Sequence, residues 1–405
     1  MKQGLNNLNH FFEKFLNKES LFINKKVLQS NYTPNIILHR DEQIKQIASV
    51  LAPALKMEKP SNLFIYGKTG TGKTVSVKYT TNSLLETAFK NKIPLKVVYV
   101  NCKLKKVSDT EYRLVAQLAK EFGKMIPATG LPTDEVYKIF FKAVDSKNQI
   151  VILILDEIDQ LAKKAGDAIL YNLTRINEEL RKSQLSIIGI SNDLVFVDNL
   201  DPRVKSSLSE EEILFPPYNA LQIQDILRER AKLAFKQGVL SNGVIEKCAA
   251  YAAREHGDAR RALELLRVAG EIAERSGSQK VLLKHIDLAE NKIERERILD
   301  AVETQPKQFQ AVLYSLILLS KGKNLVFYTG DIYDVYKDLC DKINLRPLTQ
   351  RRVSDIIGEL DMLGIINARI ISKGRYGRTR EITLSTSKEL TQKIEVLLKT
   401  ALDID

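Results

Sequence analysis

Three glycines and a lysine–threonine pair stand close together early in the chain. Residues 67–74 read GKTGTGKT and match the pattern G-x-x-x-x-G-K-[ST] in full. Glycines let a backbone curl so that successive N–H groups face phosphate oxygens, and the N-terminus of a following helix adds donors and partial positive charge. In such a loop the lysine reaches the β- and γ-phosphates and the last hydroxyl coordinates Mg²⁺. The stretch predicts a site for ATP or ADP with Mg²⁺, formed by Gly67, Thr69, Gly70, Thr71, Gly72, Lys73 and Thr74.

Two carboxylates follow the most apolar run of the chain. Residues 150–159 read IVILILDEID, which indicates a buried strand that ends at Asp156 and Glu157. Ligands of α/β proteins bind at the carboxyl ends of the strands, so these side chains are expected beside the glycine loop (residues 67–74). We expect Asp156 to hold Mg²⁺ through water and Glu157 to polarise the attacking water. The two motifs together predict ATP hydrolysis.

A basic helix near the C-terminus predicts contact with a polyanion. Residues 348–364, LTQRRVSDIIGELDMLG, have a Thr349 N-cap and end at Gly364. Gln350, Arg351 and Arg352 occupy the first turn, where each exposed arginine opposes the helix dipole at a cost of about 0.3–1 kcal/mol. Such a placement is typical of a recognition helix whose N-terminal end faces nucleic acid. We therefore expect a DNA contact at these four residues.

The stretch that follows this helix reads as a β-hairpin with a basic tip. Residues 365–385, IINARIISKGRYGRTREITLS, alternate in polarity on both sides of a glycine-containing turn. Lys373, Arg375 and Arg378 at the tip are suited to phosphate or minor-groove contact, and Tyr376 to packing on a sugar or base. The formal net charge of +12 agrees with a polyanionic partner, although solubility alone would also account for it.

Five short apolar runs position these residues. They cover residues 63–66, 96–100, 150–155, 186–191 and 212–216, and helical patterns separate them. Runs of this length are typical of strands buried on both faces, which predicts a parallel sheet in an α/β domain. Two helical stretches separate the second run from the third where a simple crossover needs one, so the second is interpreted as an insertion.

The composition excludes several kinds of protein. A chain of 405 residues with 44% hydrophobic and 28% charged residues predicts two or three packed domains. Three scattered cysteines and four scattered histidines indicate neither a disulfide framework nor a thiolate or histidine metal site. The apolar runs are too short to span a bilayer. We expect a cytoplasmic, nucleoid-associated protein with no membrane partner.

With these motifs in place, the chain resembles the AAA+ ATPases. The stretch SIIGISND resembles their first sensor strand, which implies that Asn192 lies near the γ-phosphate. GDAR resembles the second sensor motif of a helical lid and implies that Arg260 contacts the nucleotide, although Arg261 is adjacent. DPRVKSSL resembles the segment with an arginine finger, which implies that Arg203 acts on the ATP of a neighbouring subunit.

Further stretches make the resemblance more specific. HRDEQI, YRLVAQLAKEFG, TGLPTDEVY, DPRVKSSL and EEILFPPYNALQIQDILRERA together resemble the archaeal replication-initiator family. Its members are related to the largest origin-recognition subunit and to that subunit's helicase-loading partner. The resemblance implies that Tyr218 and Arg230 lie at the nucleotide. It also implies that the insertion contacts DNA, here at Thr129 and Gly130, and that a C-terminal winged helix binds origin DNA.

The same resemblance implies a domain organisation. We expect an N-terminal arm (1–34), an AAA+ α/β domain (35–218) with an initiator-specific insertion (about 108–133), an all-helical lid (219–305) and a winged-helix domain (306–405). The implied partners are double-stranded origin DNA, other initiator subunits or copies, and the replicative helicase. Slow ATP hydrolysis, used as a switch, comes from the resemblance alone.

Two other functions fit parts of the chain. A clamp-loader-like AAA+ ATPase would use rapid turnover to remodel a protein partner, but it would not need a sequence-reading helix and hairpin. A nucleotide-binding transcription regulator would use the winged helix without recruiting a helicase. Partner-stimulated turnover would favour the first alternative, and helicase recruitment that depends on Glu157 would exclude the second.

Overall fold

The computed structural model describes residues 19–30, 32–103, 110–127, 129–322, 326–372 and 378–404. The chain divides into two compact units, one ending at Ile286 and the other beginning at Asp287. Three residues of the predicted hairpin tip, Lys373, Arg375 and Tyr376, lie outside the described residues, as does the side chain of Arg378.

A five-stranded parallel sheet forms the centre of the first unit, in the order β2-β3-β4-β1-β5. The strands are β1 (Leu63–Tyr66), β2 (Leu95–Asn101), β3 (Ile150–Asp156), β4 (Gln184–Ser191) and β5 (Glu211–Leu214). All seven residues of β3 are buried, as expected for a central strand covered on both faces. The parallel sheet predicted from the five apolar runs is confirmed.

Helices cover both faces of this sheet. They are α1 (Asp41–Leu51), α2 (Lys73–Lys90), α3 (Glu111–Glu121), α4 (Thr133–Val144), α5 (Ile158–Ala165), α6 (Ala168–Thr174) and α7 (Pro202–Leu208). Adjacent residues of β1 enter different cores: Phe64 packs in the cluster that contains Leu118 of α3 and Phe140 of α4. Leu63 packs in the opposite cluster, with Val77 of α2. The two helices that connect β2 to β3, α3 and α4, therefore share one core.

The lid consists of α8 (Ala220–Ala234), α9 (Val244–Arg254) and α10 (Ala259–Arg275), and α11 (Leu283–Glu303) follows it. α8 starts with a capping box between Asn219 and Gln222. Asp258 caps α10, accepting bonds from two backbone N–H groups of its first turn. These caps fix where α8 and α10 begin, directly after Asn219 and Asp258 respectively.

The described part of the predicted N-terminal arm is packed on the lid. We call residues 19–30 and 32–38 the N-terminal segment. Phe22 stacks on Phe235 with ring centroids 4.5 Å apart, and the Lys25 ammonium lies 2.5 Å from the Glu271 carboxylate. A helix glycine, Gly270, makes room for the stack, because a Cβ there would lie 2.4 Å from the Phe22 ring. The aromatic residues of this polar stretch thus hold it to the lid.

The second unit is a winged helix. It contains α12 (Lys307–Ser320), α13 (Thr329–Lys342), α14 (Gln350–Met362), α15 (Lys388–Ala401) and an antiparallel sheet of β6 (Phe327–Tyr328), β8 (Arg378–Leu384) and β7 (Ile366–Ser372). β7 and β8 pair from Ile366 opposite Leu384 to Ser372 opposite Arg378, so the predicted hairpin is confirmed. Thr349 caps α14 and Gly364 ends it in the left-handed region, with φ of 72°.

Candidate nucleotide and nucleic-acid sites

The glycine loop forms a tight cradle between β1 and α2. Gly70 and Gly72 have φ of 74° and 90°, in the left-handed region that favours glycine. The Lys73 side chain is only 4% exposed, and its Nζ donates to the carbonyls of Gly67 at 2.7 Å and Lys68 at 2.8 Å. The ammonium group is thereby held against the loop's own carbonyls, and the phosphates are predicted to bind at this loop.

The electrostatics of Lys73 fit an anionic ligand. The pKa of its ammonium group is lowered to about 8, chiefly by burial and next by the nearby charge of Arg260, while Asp156 opposes the change. A buried cation with a depressed pKa gains stability when a negative group is placed beside it. The burial of Lys73 therefore supports a polyphosphate ligand, in agreement with the sequence pattern of the loop.

The Mg²⁺ ligands predicted from the sequence lie next to each other. Thr74 Oγ1 donates to Asp156 Oδ2 at 2.9 Å, and the Tyr99 hydroxyl donates to the same oxygen at 2.7 Å. Among the described residues no group of three or more acidic, histidine or cysteine side chains forms a metal site. Mg²⁺ in nucleotide enzymes takes one or two carboxylates and fills its shell with water and phosphate oxygens, so this donor set fits it.

Sequence analysis missed Tyr99. Burial and the hydrogen bond to Asp156 raise the pKa of this phenol, so Tyr99 stays a donor at neutral pH. It lies on β2, beside β3 in the sheet but more than fifty residues away in sequence. The available signal in the sequence was a tyrosine near the end of the predicted strand KVVYV.

Glu157 has an unusual backbone conformation. Its φ of 56° and ψ of 46° are left-handed, which a non-glycine residue adopts at some energetic cost, and strained residues of this kind cluster at functional sites. Its carboxylate lies 3.9 Å from the Lys103 ammonium. Asn192 directly follows β4, and the preceding Ser191 hydroxyl donates to the buried Asp159 at 3.2 Å. The ends of β3 and β4 thus bring both predicted catalytic side chains to one edge of the sheet.

The lid contacts the glycine loop directly. The Ala259 N–H donates to the Gly70 carbonyl at 3.3 Å, and a Cβ on Gly70 would lie 1.7 Å from Asp258 Oδ1. Arg260 lines the cavity between them. Arg261 instead pairs with Glu255, Nε to Oε2, at 3.3 Å. Arg260 therefore lies at the cavity, whereas its neighbour Arg261 is engaged by Glu255.

A cavity of about 500 Å³ lies between the glycine loop, the lid and the N-terminal segment. Its size is that of a typical small-molecule site. The predicted residues that line it are Gly70, Gly72, Thr74, Tyr218, Arg230 and Arg260. Tyr32, Pro34, Ile37 and Leu38 of the N-terminal segment also line it, and sequence analysis did not assign these to the nucleotide. Their apolar side chains in a polar stretch were the available signal.

Arg230 and Arg203 occupy different environments. Arg230 donates to the Val27 carbonyl at 3.2 Å and lies 4.6 Å from the centroid of the Tyr32 ring, on the N-terminal side of the cavity. Arg203 is 68% exposed, pairs with Asp201 at 3.0 Å and is not among the residues that line the cavity. Arg230 is therefore brought to the cavity of its own chain, and Arg203 is not.

A groove of about 440 Å³ marks the second unit. It is lined by Thr329, Gly330, Gln350, Arg351, Ser354, Ile370, Thr379 and Arg380. Arg352 lies outside this lining and has two acidic neighbours, Asp355 at 3.7 Å and Glu359 at 3.6 Å. In the first unit, Thr129 and Gly130 are exposed between α3 and α4. The groove brings Gln350 and Arg351 together with Arg380, which sequence analysis did not assign to a DNA contact.

Three family models match the chain in the order of the observed elements. They are the AAA domain at residues 56–194, the Cdc6 AAA+ ATPase-type lid domain at 224–291 and the CDC6 C-terminal winged helix domain at 300–394. The ORC1-type DNA replication protein of Thermococcus onnurineus is 55% identical over 94% of this chain and 92% of its own length. The chain belongs to the ORC1-type DNA replication proteins.

Other ORC1-type relatives agree. ORC1-type DNA replication protein 1 of Methanosarcina mazei is 54% identical over 96% of this chain and 93% of its own. Among solved structures, the Aeropyrum pernix ORC1 protein in complex with DNA is 45% identical, with a TM-score of 0.81, over 95% of this chain and 98% of that one. The predicted initiator family, AAA+ domain, lid and winged helix are confirmed. No helix in the described part of this ORC1-type chain is long and apolar enough to cross a membrane.

Proposed function

We propose that this protein is an ATP-dependent replication initiator that binds double-stranded origin DNA and helps recruit the replicative helicase. The observation that carries the proposal is the buried Lys73, whose pKa is lowered, in a glycine loop that faces a nucleotide-sized cavity. The same chain holds a winged helix with an arginine-lined groove. A nucleotide site and a nucleic-acid site in one ORC1-type chain are the parts such an initiator needs.

The nucleotide would bind with its phosphates in the glycine loop and its base toward the N-terminal segment. Lys73 would pair with the phosphates, and Arg260 would add a second cation from the lid. The apolar side chains of Tyr32, Pro34 and Ile37 support a base-binding end, because a planar base is stabilised by such surfaces. Thr74 and Asp156 would hold Mg²⁺, which supplies charge neutralisation on the phosphates.

Hydrolysis would be slow and would act as a switch between two states. Glu157 would orient and polarise the attacking water, and Asn192 would sense the γ-phosphate. Exposed Arg203 would act in trans on the nucleotide of a neighbouring copy.

DNA would bind along the groove of the winged helix. Gln350 and Arg351 would contact bases or phosphates from the first turn of α14, and Thr349 would cap that turn. The 45% identical Aeropyrum pernix ORC1 protein, solved in complex with DNA, supports this. Thr129 and Gly130 would add a second contact from the insertion, and Lys373, Arg375, Tyr376 and Arg378 one from the wing.

The two alternative functions have less support. A clamp-loader-like ATPase does not account for the groove around Arg351, and the ORC1-type relatives are named for DNA replication rather than transcription. The regulator differs from the initiator in one observable property, which is whether the nucleotide state controls helicase recruitment.

Footprinting on genomic DNA with ATP and with ADP tests the proposal. We expect a defined protected site whose extent differs between the two nucleotides, and no such difference with Lys73→Ala. Helicase pull-down with Glu157→Gln gives the second test: retained DNA binding with altered helicase recruitment supports the initiator. Protection of DNA that is indifferent to sequence, or recruitment unaffected by either variant, would remove the proposal.

A further inference from the structure

Arg40 lies behind the glycine loop and is almost completely buried, with 2% of its surface exposed. Its guanidinium group donates to three main-chain carbonyls: Thr71 at 2.9 Å, Pro216 at 2.6 Å and His39 at 3.2 Å. Thr71 belongs to the glycine loop, whereas Pro216 belongs to the connection between β5 and the lid. One side chain therefore ties the loop to the segment from which the lid starts.

Aromatic rings complete the environment of Arg40. Its guanidinium carbon lies 3.8 Å from the centroid of the Tyr218 ring and 5.6 Å from that of Phe215. A cation stacked on an aromatic face is stabilised by the ring's electron density, more so when water is excluded. This contact also fixes Tyr218, whose hydroxyl would lie 2.7 Å from a Cβ on Gly72. Arg40 and Tyr218 thus form the rear wall of the loop where α2 begins.

The charge of Arg40 has no acidic partner among the residues that the structure describes. Its three acceptors are neutral carbonyls, and it is the adjacent His39 that bonds to Asp225, Nε2 to Oδ2, at 3.0 Å. The half-buried Arg267 of the lid, by contrast, bonds to the Glu271 carboxylate at 2.7 Å. A buried charge without a counter-charge is costly, and a structural arginine is normally paired. This cost is recovered if an anion binds close by.

We propose that Arg40 is a positioning residue for nucleotides with two or more phosphates. It supplies a buried positive charge behind the loop, and it holds the Thr71 carbonyl and Tyr218 so that the loop N–H groups face the phosphates. The inference rests on the proposed nucleotide site. Because the charge lies at the loop and not at the base-binding end, its contribution grows with the number of phosphates on the ligand.

Calorimetric titration of the full chain with ADP, ATP in EDTA, and AMP tests this role. Arg40→Gln is expected to weaken ADP and ATP binding by an order of magnitude, roughly, and AMP binding much less. Arg40→Lys keeps the charge but loses the fork of three bonds and the stack, so an intermediate loss is expected. Arg295→Gln is the control, since it removes an arginine of the second unit that bonds to the Glu389 carboxylate at 2.6 Å, and it is expected to leave all three affinities unchanged.

Circular dichroism and thermal unfolding without nucleotide accompany each titration. Wild-type affinity in Arg40→Gln, or an equal loss for AMP and ADP, would overturn the inference and leave a structural role only. If Arg40→Gln does not fold, Arg40→Lys decides, and wild-type ADP affinity there would also overturn it. If the wild-type chain binds none of the three ligands, the nucleotide site itself is wrong, which distinguishes that failure from a failure at Arg40.

Discussion

Single residues set the chemistry of the nucleotide site through charge and burial. Lys73 has a lowered pKa in the free chain, chiefly because the fold buries its ammonium group. Asp156 receives two hydroxyl donors on one oxygen, which fixes the carboxylate in one orientation. Each property gives a measurable consequence.

The pH dependence of nucleotide affinity follows from Lys73. Its pKa is about 8 in the free chain, and phosphates beside it would raise that pKa, so binding takes up a proton above pH 8. We expect ADP affinity to be constant below about pH 7.5 and to fall by up to about tenfold per pH unit above 8. Calorimetry in buffers of different ionisation enthalpy measures the uptake. Lys73→Arg, which cannot lose its proton, should remove the dependence; a wild-type profile flat to pH 9.5 would contradict the assignment.

Tyr99 should control the Mg²⁺ dependence of ATP binding. Tyr99→Phe removes the hydroxyl that bonds to Asp156 Oδ2 and leaves the ring in place. We expect a several-fold higher Mg²⁺ concentration at half-saturation, because metal affinity depends on the groups that orient a ligating carboxylate. Titration of Mg²⁺ at fixed ATP measures this. Tyr112→Phe, whose hydroxyl bonds to the Pro127 carbonyl at 2.7 Å, is the control, and equal shifts in both variants would exclude the role.

Elements position these residues, and the N-terminal segment is the element whose role is least evident from its composition. It packs on α8 and α10 through Phe22, Phe235 and Glu271, and residues 29–38, leaving out 31, line the cavity. The base-binding end of the proposed site therefore depends on a segment held by an aromatic stack, by the buried side chains of Val27 and Leu28, and by a few polar bonds.

Gly270→Ala should loosen this segment. Alanine in a helix interior is favoured over glycine by about 1 kcal/mol, but a Cβ here would lie 2.4 Å from Phe22 and 2.9 Å from Phe235, and overpacking costs about 1–3 kcal/mol. We expect faster amide exchange in residues 19–30 and weaker ADP binding. Gly330→Ala in α13, where an added Cβ meets nothing within 4 Å, is the control and should be neutral or stabilising. Unchanged amide exchange in residues 19–30 of Gly270→Ala would contradict this prediction and show that the two rings can shift to accommodate the methyl group.

The sheet, the wing hairpin and the helix boundaries could be predicted because each has a local signal. Apolar runs marked the strands, and Thr349 and Gly364 marked the ends of α14. Arg40 and Tyr99 were not assigned a role, because their partners lie on elements distant in sequence. Arg40 stands in the HRDEQI stretch and Tyr99 in KVVYV, but neither stretch indicates what the side chain contacts. Burial of the N-terminal segment was hidden for the same reason: its lysines and asparagines indicate exposure, whereas tertiary contacts decide.

At the scale of the whole molecule, charge separates two kinds of DNA contact. With a net charge of +12, affinity for DNA should fall steeply with salt through phosphate contacts spread over the chain. Arg351 differs from those contacts because it lines the groove together with Gln350, whereas Arg352 is engaged by Asp355 and Glu359.

Arg351→Ala should therefore relax sequence preference more than Arg352→Ala does. We expect a loss of about 1–3 kcal/mol on origin DNA for Arg351→Ala and little change on random duplex. Fluorescence anisotropy on both duplexes at several salt concentrations measures the difference and the salt slope. Arg352→Ala serves as the matched variant, one residue away and equally charged. Equal losses on both duplexes for Arg351→Ala would assign it to phosphate instead.

The seam between Gly70 and Ala259 consists of main-chain atoms, with the Asp258 side chain seated where a methyl group would otherwise stand. A nucleotide bound in the cavity would be retained in part by the contact between these two stretches of backbone. The lifetime of the nucleotide-bound state is thus expected to depend on a glycine at residue 70. Any side chain there would push Asp258 away from the loop and shorten that lifetime.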